Sequence, residues 1–361
     1  MGSFATCKFP VVDKMYEIGE KNPVVGYINS VLSGFGQIVL SDNQVTGLLI
    51  MLGIYLGGAP SQLITALWAA CVASAVAFFI GVPKVLVQHG LYTFSGAVVG
   101  LGISLWGYTV QAVYPQLLIY ATVGGVVSVI LTAAFNSFFG KWEAPSLAVP
   151  YCTTLVMIIP ALYHMGSMNA VPYSIPSTGQ VVDAFTSIDL ASFIQCTIAG
   201  VGEICFQVGI PSGICLLLAV LISSRVDFIV AIVCAALGTG FAVALGLPDG
   251  NILIGLYGFN AALVGMGLFG RAFRMSGYCA VLTILMALFS VILNASMGFL
   301  YQPLGAPVAA MPFAIIVIAC ILCKDYFTKL QAVPIIMWGV PETIEKALKA
   351  QEAEAAKAEG E

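Results

Sequence analysis

A nearly continuous apolar stretch, residues 24–336, constrains this chain more than any other feature. Only short turns that carry glycine, proline or a few charges interrupt it. A helix needs about 20 mostly apolar residues to cross a bilayer, and charged residues make up 8% of the chain, against roughly 25% in soluble domains. The sequence therefore predicts an all-α polytopic membrane protein.

The apolar stretch contains an internal repeat. An offset of about 166 residues aligns 34–40 with 200–206, and small shifts of register then align 90–100 with 255–265 and 144–151 with 306–313. Three blocks in the same order indicate a duplicated structural unit. Each half holds about six apolar segments, several of them too short to span, so some are expected to be re-entrant or broken.

The repeat divides the chain into five predicted parts. These are a cytoplasmic N-terminal segment (1–23), a first membrane repeat (24–165), a linker (166–191), a second membrane repeat (192–325) and a cytoplasmic C-terminal tail (326–361). Lysines before the first apolar segment and after the last one predict that both termini are cytoplasmic. With an odd number of crossings in each half, the halves are inverted relative to each other. The lack of a cleavable signal at the N-terminus favours a bacterial inner membrane, and the tail is expected to be a solvated helix or disordered.

Glu203 is a carboxylate well inside an apolar segment, and its repeat partner is Gln37. Ionisable residues within membrane segments usually mark a transport path. A protonated carboxyl group has nearly the shape and hydrogen bonds of an amide, so the pairing predicts a polar hydrogen-bonding role for Glu203 rather than a proton relay. The two side chains could line a pore or cap a broken helix, and we favour the pore.

Phe94 and Val98 in the first half match Phe259 and Leu263 in the second. Each pair is four residues apart and shares one helical face. Such a face usually packs in a core, but two of them across a pseudo-twofold axis could form a flat apolar slot. The glycines around them permit close helix packing or exposed carbonyl groups.

The last apolar segment of each half begins with a pair of prolines, Pro145 and Pro150 in the first half and Pro307 and Pro312 in the second. Proline leaves nearby carbonyl groups without a helical donor, and in a membrane such groups are tolerated only where protein or a water-filled path satisfies them. We therefore expect a series of hydrogen-bond acceptors along a narrow path.

No nucleotide-binding loop, metal cluster or nucleophile–base arrangement is recognisable, so the sequence predicts no catalytic residues, no metal and no cofactor, and the protein is not expected to be an enzyme. The ten cysteines lie mostly in apolar runs. They are interpreted as small buried hydrophobic residues.

Three motifs, each present twice, resemble those of the urea transporter family. They are Gly-x-Gly-[Gln/Glu] with Phe or Leu three residues on, Gly-Leu-Tyr-x-Phe-[Ser/Asn]-x-x-[Val/Leu]-x-Gly, and Pro-x-x-x-x-Pro-[Tyr/Phe], and together they cover about residues 24–325. The resemblance implies ten transmembrane helices and two tilted re-entrant helices, inverted repeats, and a homotrimer with one pore per protomer. It also implies a small neutral solute, urea, that slides edge-on between stacked side chains while oxygen atoms accept from its amide groups.

The resemblance also implies a set of pore residues. The polar residues at the mouths are Gln37 and Glu203, and the slot residues are Leu40, Phe94, Val98, Phe206, Phe259 and Leu263. Leu40 stands where phenylalanine is usual. Ala148 and Ala310 stand where the family typically has threonine in the middle of the pore.

Losing both hydroxyl groups removes hydrogen bonds worth about 1–3 kcal/mol each to a desolvated solute. Urea therefore does not follow from the resemblance alone, and the leading hypothesis is a facilitative channel for urea or a related small neutral amide. The alternatives are a member with a changed substrate (another amide, ammonia or a larger polar metabolite), a proton- or ion-coupled carrier that uses Glu203, and a membrane receptor or scaffold.

Overall fold

The structure is a computed structural model that describes residues 10–107, 115–164 and 188–359. Within these ranges the chain is helical and contains no β-strand beyond isolated bridges. The α-helices are α1 Pro10–Lys21, α2 Pro23–Gln37, α3 Gln44–Leu56, α4 Pro60–Phe79, α5 Lys84–Gln88, α6 Thr93–Gly107, α7 Pro115–Phe139, α8 Val149–His164, α9 Leu190–Gly202, α10 Ile210–Ser223, α11 Arg225–Ala244, α12 Asp249–Leu253, α13 Gly258–Leu268, α14 Gly277–Tyr301, α15 Met311–Leu322 and α16 Pro341–Glu359.

Several of these helices can cross a membrane. Among the described residues five spans are long and apolar enough: Pro60–Phe79, Lys84–Gly107, Pro115–Trp142, Arg225–Ala244 and Gly277–Leu304. The stretches Leu190–Cys205 and Ile210–Ser223 pass the same test together, bent by 73° at a break between them, which makes a sixth span if they are counted as one. The all-helical prediction is therefore confirmed for the described residues, and the long apolar helices are compatible with a multi-pass membrane protein. The count of ten transmembrane helices and the inverted repeats stay predictions.

The order of helices in the first half recurs in the second, with α2–α8 matched by α9–α15. Unusual backbone conformations recur as well. Leu40 and Phe206 have φ of 59° and 57°, and Leu147 and Ala309 have φ of 46° and 47°. Residues other than glycine rarely adopt positive φ, so its presence at matching positions indicates that the two halves share the same local fold.

Helices α3 and α10 join the two halves through a contact that is made twice. Thr46 Oγ1 donates to the Ala219 carbonyl at 3.3 Å, and Ser212 Oγ donates to the Gly53 carbonyl at 2.8 Å. The repeat offset matches Thr46 with Ser212 and Gly53 with Ala219. The two bonds are therefore equivalent contacts, and the helices run antiparallel where they meet.

The apolar run that begins near residue 86 does not form one continuous helix. Helix α5 ends at Gln88, α6 begins at Thr93, and Gly90 between them has φ of 77°. A Cβ atom at Gly90 would lie 2.3 Å from the backbone nitrogen of Gly34. The chain breaks here because the turn packs directly against the backbone of α2, and the repeat partner Gly255 makes the same approach to Gly200 at 2.2 Å.

The C-terminal residues fold back onto the bundle. The backbone N–H of Val333 donates to the Ala272 carbonyl at 2.9 Å, and that of Arg274 donates to the Gln331 carbonyl at 2.8 Å. Ile344 and Leu348, one turn apart on α16, are buried against Val333. The expected solvated helix is thus present, but one of its faces is packed against the protein.

Candidate pore site

A cavity of about 490 Å³ lies between the two halves of the bundle. This is many times the roughly 30 Å³ that a water molecule occupies in the liquid. Six of the ten predicted pore residues line it: Gln37, Leu40, Phe94, Val98, Ala148 and Leu263. Leu263 comes from the second half and the other five from the first, so the slot residues of both halves meet on one cavity.

Apolar side chains make up most of the cavity wall. Phe94 and Val98 lie on α6, and the ring of Tyr151 meets the ring of Phe94 edge-on, with centroids 6.2 Å apart and an interplanar angle of 88°. Tyr151 and its repeat partner Phe313 also line the cavity. The sequence analysis placed these two residues in a repeated motif without assigning them to the site.

Ala148 lines the cavity with its side chain almost fully buried, whereas Ala310 is buried outside the cavity wall. Each precedes the first turn of a helix, and its carbonyl accepts from the backbone N–H four residues on, at 3.0 Å for Ala148 and 3.1 Å for Ala310. Asn260 donates from Nδ2 to the Ala309 carbonyl at 3.2 Å. Each of these three carbonyl groups therefore already accepts one hydrogen bond. Its second lone pair could accept another from a solute.

A hydrogen-bonded network surrounds the polar end of the cavity. Gln37 Nε2 donates to the His89 carbonyl at 2.9 Å, which fixes the amide at the end of α2. The His89 ring lies 2.9 Å from the carboxylate of Asp42 and stacks on Tyr16 with centroids 4.3 Å apart. His89 thus links α1 to the residues that follow α2.

A buried ion pair lies beside the same mouth. Arg271 Nη2 is 2.8 Å from Asp227 Oδ2, and both side chains are 3% exposed. The guanidinium group also donates to the carbonyl of Leu40 at 3.2 Å, to the carbonyl of Gly339 at 3.0 Å, and to the carbonyl of Met266. A buried charge is tolerated when it is paired and hydrogen-bonded, and Arg271 meets both conditions.

Arg271 was not among the residues predicted from the sequence. Its signal was a pair of opposite charges, Asp227 and Arg271, at the ends of two apolar segments of one half. The repeat partner of Arg271 is Trp106, whose ring meets Phe206 edge-on with centroids 5.1 Å apart. Equivalent positions therefore carry a cation beside Leu40 and an indole beside Phe206.

The other four predicted residues lie outside the wall of this cavity. Glu203 follows the end of α9 and is 7% exposed, and Phe206 follows it with the same backbone conformation as Leu40. Phe259 and Ala310 are buried in the core that both halves share.

Both terminal parts of the described chain lie at the same mouth. Tyr16 of α1 donates to the carbonyl of Asp42, which lines the cavity, and so do five residues of the C-terminal segment: Ile335, Ile336, Trp338, Gly339 and Val340. Across the described ranges no group of three or more His, Cys, Asp or Glu residues is placed to hold a metal ion, and the nine cysteines found there are free thiols.

Comparison with known proteins matches most of the chain to one family. The family model described as "Urea transporter" matches residues 28–325. Urea transporter 1 of Ovis aries is 24% identical over 324 residues, which cover 90% of this chain and 84% of the relative. Urea transporter 1 of Rattus norvegicus is 22% identical over 303 residues, which cover 82% of this chain and 77% of the relative.

Proposed function

Because this chain belongs to the urea transporter family, we propose that it is a facilitative channel for urea or a related small neutral amide. The family is one of membrane transporters and not of enzymes. The proposed path is a narrow pore at a pseudo-twofold axis within each protomer. The observation that carries the proposal is the cavity shared by Gln37, Leu40, Phe94, Val98, Ala148 and Leu263.

The chemistry of this cavity suits a flat, neutral, polar solute. Its apolar residues, such as Phe94 and Val98, offer no counter-charge, so an ion beside them would lose hydration without compensation. Asp42 and Arg271 also line the cavity, but each is already paired, Asp42 with His89 and Arg271 with Asp227. The amide oxygen of Gln37 and the backbone carbonyl groups can accept hydrogen bonds from amide N–H groups. Within the proposed pore we assign no residue to energy coupling, so transport would follow the concentration gradient.

We also propose the symmetry and orientation that the sequence predicted. The reciprocal bonds from Thr46 to Ala219 and from Ser212 to Gly53 support inverted repeats, because a twofold axis produces the same contact in both directions. The contacts of Tyr16 and of residues 335–340 at one mouth support termini on one side of the membrane. A cytoplasmic position for that side, a homotrimer and a bacterial inner membrane stay predictions.

A changed substrate is the second candidate, and the position of Ala148 favours it. This methyl group lines the cavity where the family typically supplies a hydroxyl. A site without that hydrogen bond discriminates less strongly in favour of urea and tolerates solutes with fewer N–H groups. Acetamide, formamide and ammonia are the solutes to compare.

The test is stopped-flow flux through purified protein in liposomes, with urea, formamide, acetamide and ammonia measured side by side. We expect urea flux well above that of protein-free liposomes, saturable, and unaffected by membrane potential or a pH gradient. Flux of another amide or of ammonia that exceeds urea flux would favour the second candidate. Flux of none of the four would reject both.

A further inference from the structure

The C-terminal segment 335–340 contributes to the wall of the cavity that the slot residues also line. Ile335, Ile336 and Trp338 of this segment contribute to the lining. We propose that this segment is the outer wall of one pore mouth, that solute passes between it and the slot, and that Ile336 and Trp338 help to select which solutes enter. The inference rests on the proposed channel function.

One side chain holds the segment in register with the slot. Arg271 donates from Nε to the carbonyl of Gly339 at 3.0 Å and from Nη2 to the carbonyl of Leu40 at 3.2 Å. Because the guanidinium group is planar and rigid, the two carbonyl groups are kept at a fixed separation. Arg271 is therefore a positioning residue, and it connects the C-terminal wall to a predicted pore residue.

The segment is also anchored on both sides of its cavity-lining part. Before it, Val333 is bonded to Ala272. After it, the carboxylate of Glu342 accepts from Ser224 Oγ at 2.7 Å and from the backbone N–H of Val226 at 3.1 Å. This carboxylate lies at the N-terminus of α11, where a negative charge is favoured. Residues 335–340 thus bridge two fixed points across the mouth.

Two positions of the C-terminal region provide a matched pair for a test. Ile336 is 61% exposed and lines the cavity, whereas Tyr326 is 85% exposed and does not. The variants Ile336→Cys and Tyr326→Cys would be made in a background with Cys323, which is exposed, and Cys7, which lies outside the described residues, both changed to serine. Each purified protein would be treated with a bulky, charged methanethiosulfonate, checked by mass spectrometry, and reconstituted for urea flux.

Modification of the Ile336→Cys variant is expected to lower urea flux at least tenfold, and a thiol reductant should restore it. Modification of the Tyr326→Cys variant should leave flux within about twofold. A fully modified Ile336→Cys protein that conducts normally, or a thiol there that does not react, would overturn the inference while leaving the channel function intact. Lack of flux in the untreated background would instead reject the proposed function and this inference with it.

Trp338→Ala supplies an independent measurement of selection. Removing the indole widens the mouth, so the ratio of N,N′-dimethylurea flux to urea flux should rise at least threefold. A general loss of folding would lower both fluxes and leave their ratio unchanged. An unchanged ratio with normal urea flux would show that Trp338 does not select solutes.

Discussion

Leu40 and Phe206 adopt the same left-handed backbone conformation, with φ of 59° and 57°. For a residue other than glycine this conformation costs about 1–3 kcal/mol and persists only where the surroundings enforce it. It turns the chain sharply after α2 and after α9. The two positions share a backbone conformation but differ in their neighbours, since Leu40 lies beside Arg271 and Phe206 beside Trp106.

Leu40→Phe is expected to tighten urea binding at the cavity. The substitution adds an aromatic face to the cavity, at a position where the resemblance implies a phenylalanine. If a flat solute stacks on that face about as favourably as one ring on another, the gain is about 0.5–1.5 kcal/mol. The urea concentration that gives half-maximal flux should fall roughly two- to tenfold. Phe206→Leu is the matched control and should raise it. An unchanged half-saturating concentration in the Leu40→Phe variant would show that Leu40 does not contact the solute.

Much of the helical framework could be predicted from the sequence, because lipid leaves apolar segments few alternatives to helix. The apolar runs 60–81 and 227–246 of the sequence, for example, correspond to α4 and α11. Broken segments were expected, but the place of the break between α5 and α6 could not be predicted, since it follows from the approach of Gly90 to Gly34. Those glycines stand in two different repeated motifs, but sequence alone does not show that they touch.

The candidate site was predictable only where the repeat exposed it. Phe94, Val98 and Leu263 were found because each has a partner at the matching position, and the cavity brings them together. Arg271 and Trp338 are asymmetric features, so symmetry could not point to them. The contact of Arg271 with Leu40 joins residues 231 positions apart, and only the tertiary fold brings such residues together.

Ala148→Thr combined with Ala310→Thr is expected to favour urea. Each hydroxyl can offer an acceptor and a donor to a solute that has shed its water, worth about 1–3 kcal/mol. Urea flux at low concentration should rise about tenfold, with a smaller rise for acetamide. Ala148 is tightly buried, so Ala148→Val combined with Ala310→Val is the control of equal size. A similar rise in the valine variant would mean that shape, rather than hydrogen bonding, is responsible.

Glu203→Gln tests whether transport is coupled to protons. Because the repeat partner of Glu203 is Gln37, the amide should reproduce the hydrogen bonds of a neutral carboxyl group. We expect urea flux within about twofold of the unmodified protein and no dependence on a pH gradient in either. Glu203→Leu, which removes those hydrogen bonds, should lower flux at least tenfold. Gradient-driven uptake that disappears in Glu203→Gln would support a coupled carrier.

Docking of α16 should depend on pH through Glu345. Hydrogen bonds from Arg274 hold the pKa of this carboxyl below its ordinary value of 4.5, and Lys349 lowers it further. Both oxygens of Glu345 accept from Arg274, at 3.0 Å each. A lowered pKa means that the folded state favours the charged form, so docking is strongest above about pH 4.5 and weakens as pH falls through the lowered pKa.

Amide hydrogen exchange of α16, corrected for the intrinsic effect of pH, measures this docking. Exposed ion pairs contribute about 0.2–1 kcal/mol, so Glu345→Gln should raise exchange at pH 7 by up to about fivefold and reduce the pH dependence. Glu352 also pairs with Arg274 and should account for the pH dependence of exchange that remains in the Glu345→Gln variant. Arg274→Ala removes both ion pairs and should abolish that remaining pH dependence. Equal exchange at pH 7 in all three proteins would show that packing of Ile344 and Leu348 alone holds the helix.

Gly90→Ala should destabilise the protein far more than Gly81→Ala. Both glycines have positive φ, 77° at Gly90 and 83° at Gly81, so alanine pays a similar conformational cost of about 1–2 kcal/mol at each. A Cβ atom at Gly81 has nothing within 4 Å, whereas one at Gly90 would lie 2.3 Å from the Gly34 nitrogen. That neighbour is backbone and cannot rotate away, so overpacking adds about 1–3 kcal/mol.

The melting temperatures of the two variants would be compared by thermal unfolding, with size-exclusion chromatography as the measure of folded protein. Gly90→Ala should melt several degrees below Gly81→Ala and lose urea flux, because α2 must shift and Gln37 is bonded to the carbonyl of His89 next to this turn. The second repeat offers the same comparison, with Gly255→Ala against Gly246→Ala, since a Cβ atom would lie 2.2 Å from Gly200 at the first and meet nothing within 4 Å at the second. Similar melting temperatures within each pair would mean that the turn can move off α2 at little cost, and that this contact does not set the geometry of the mouth.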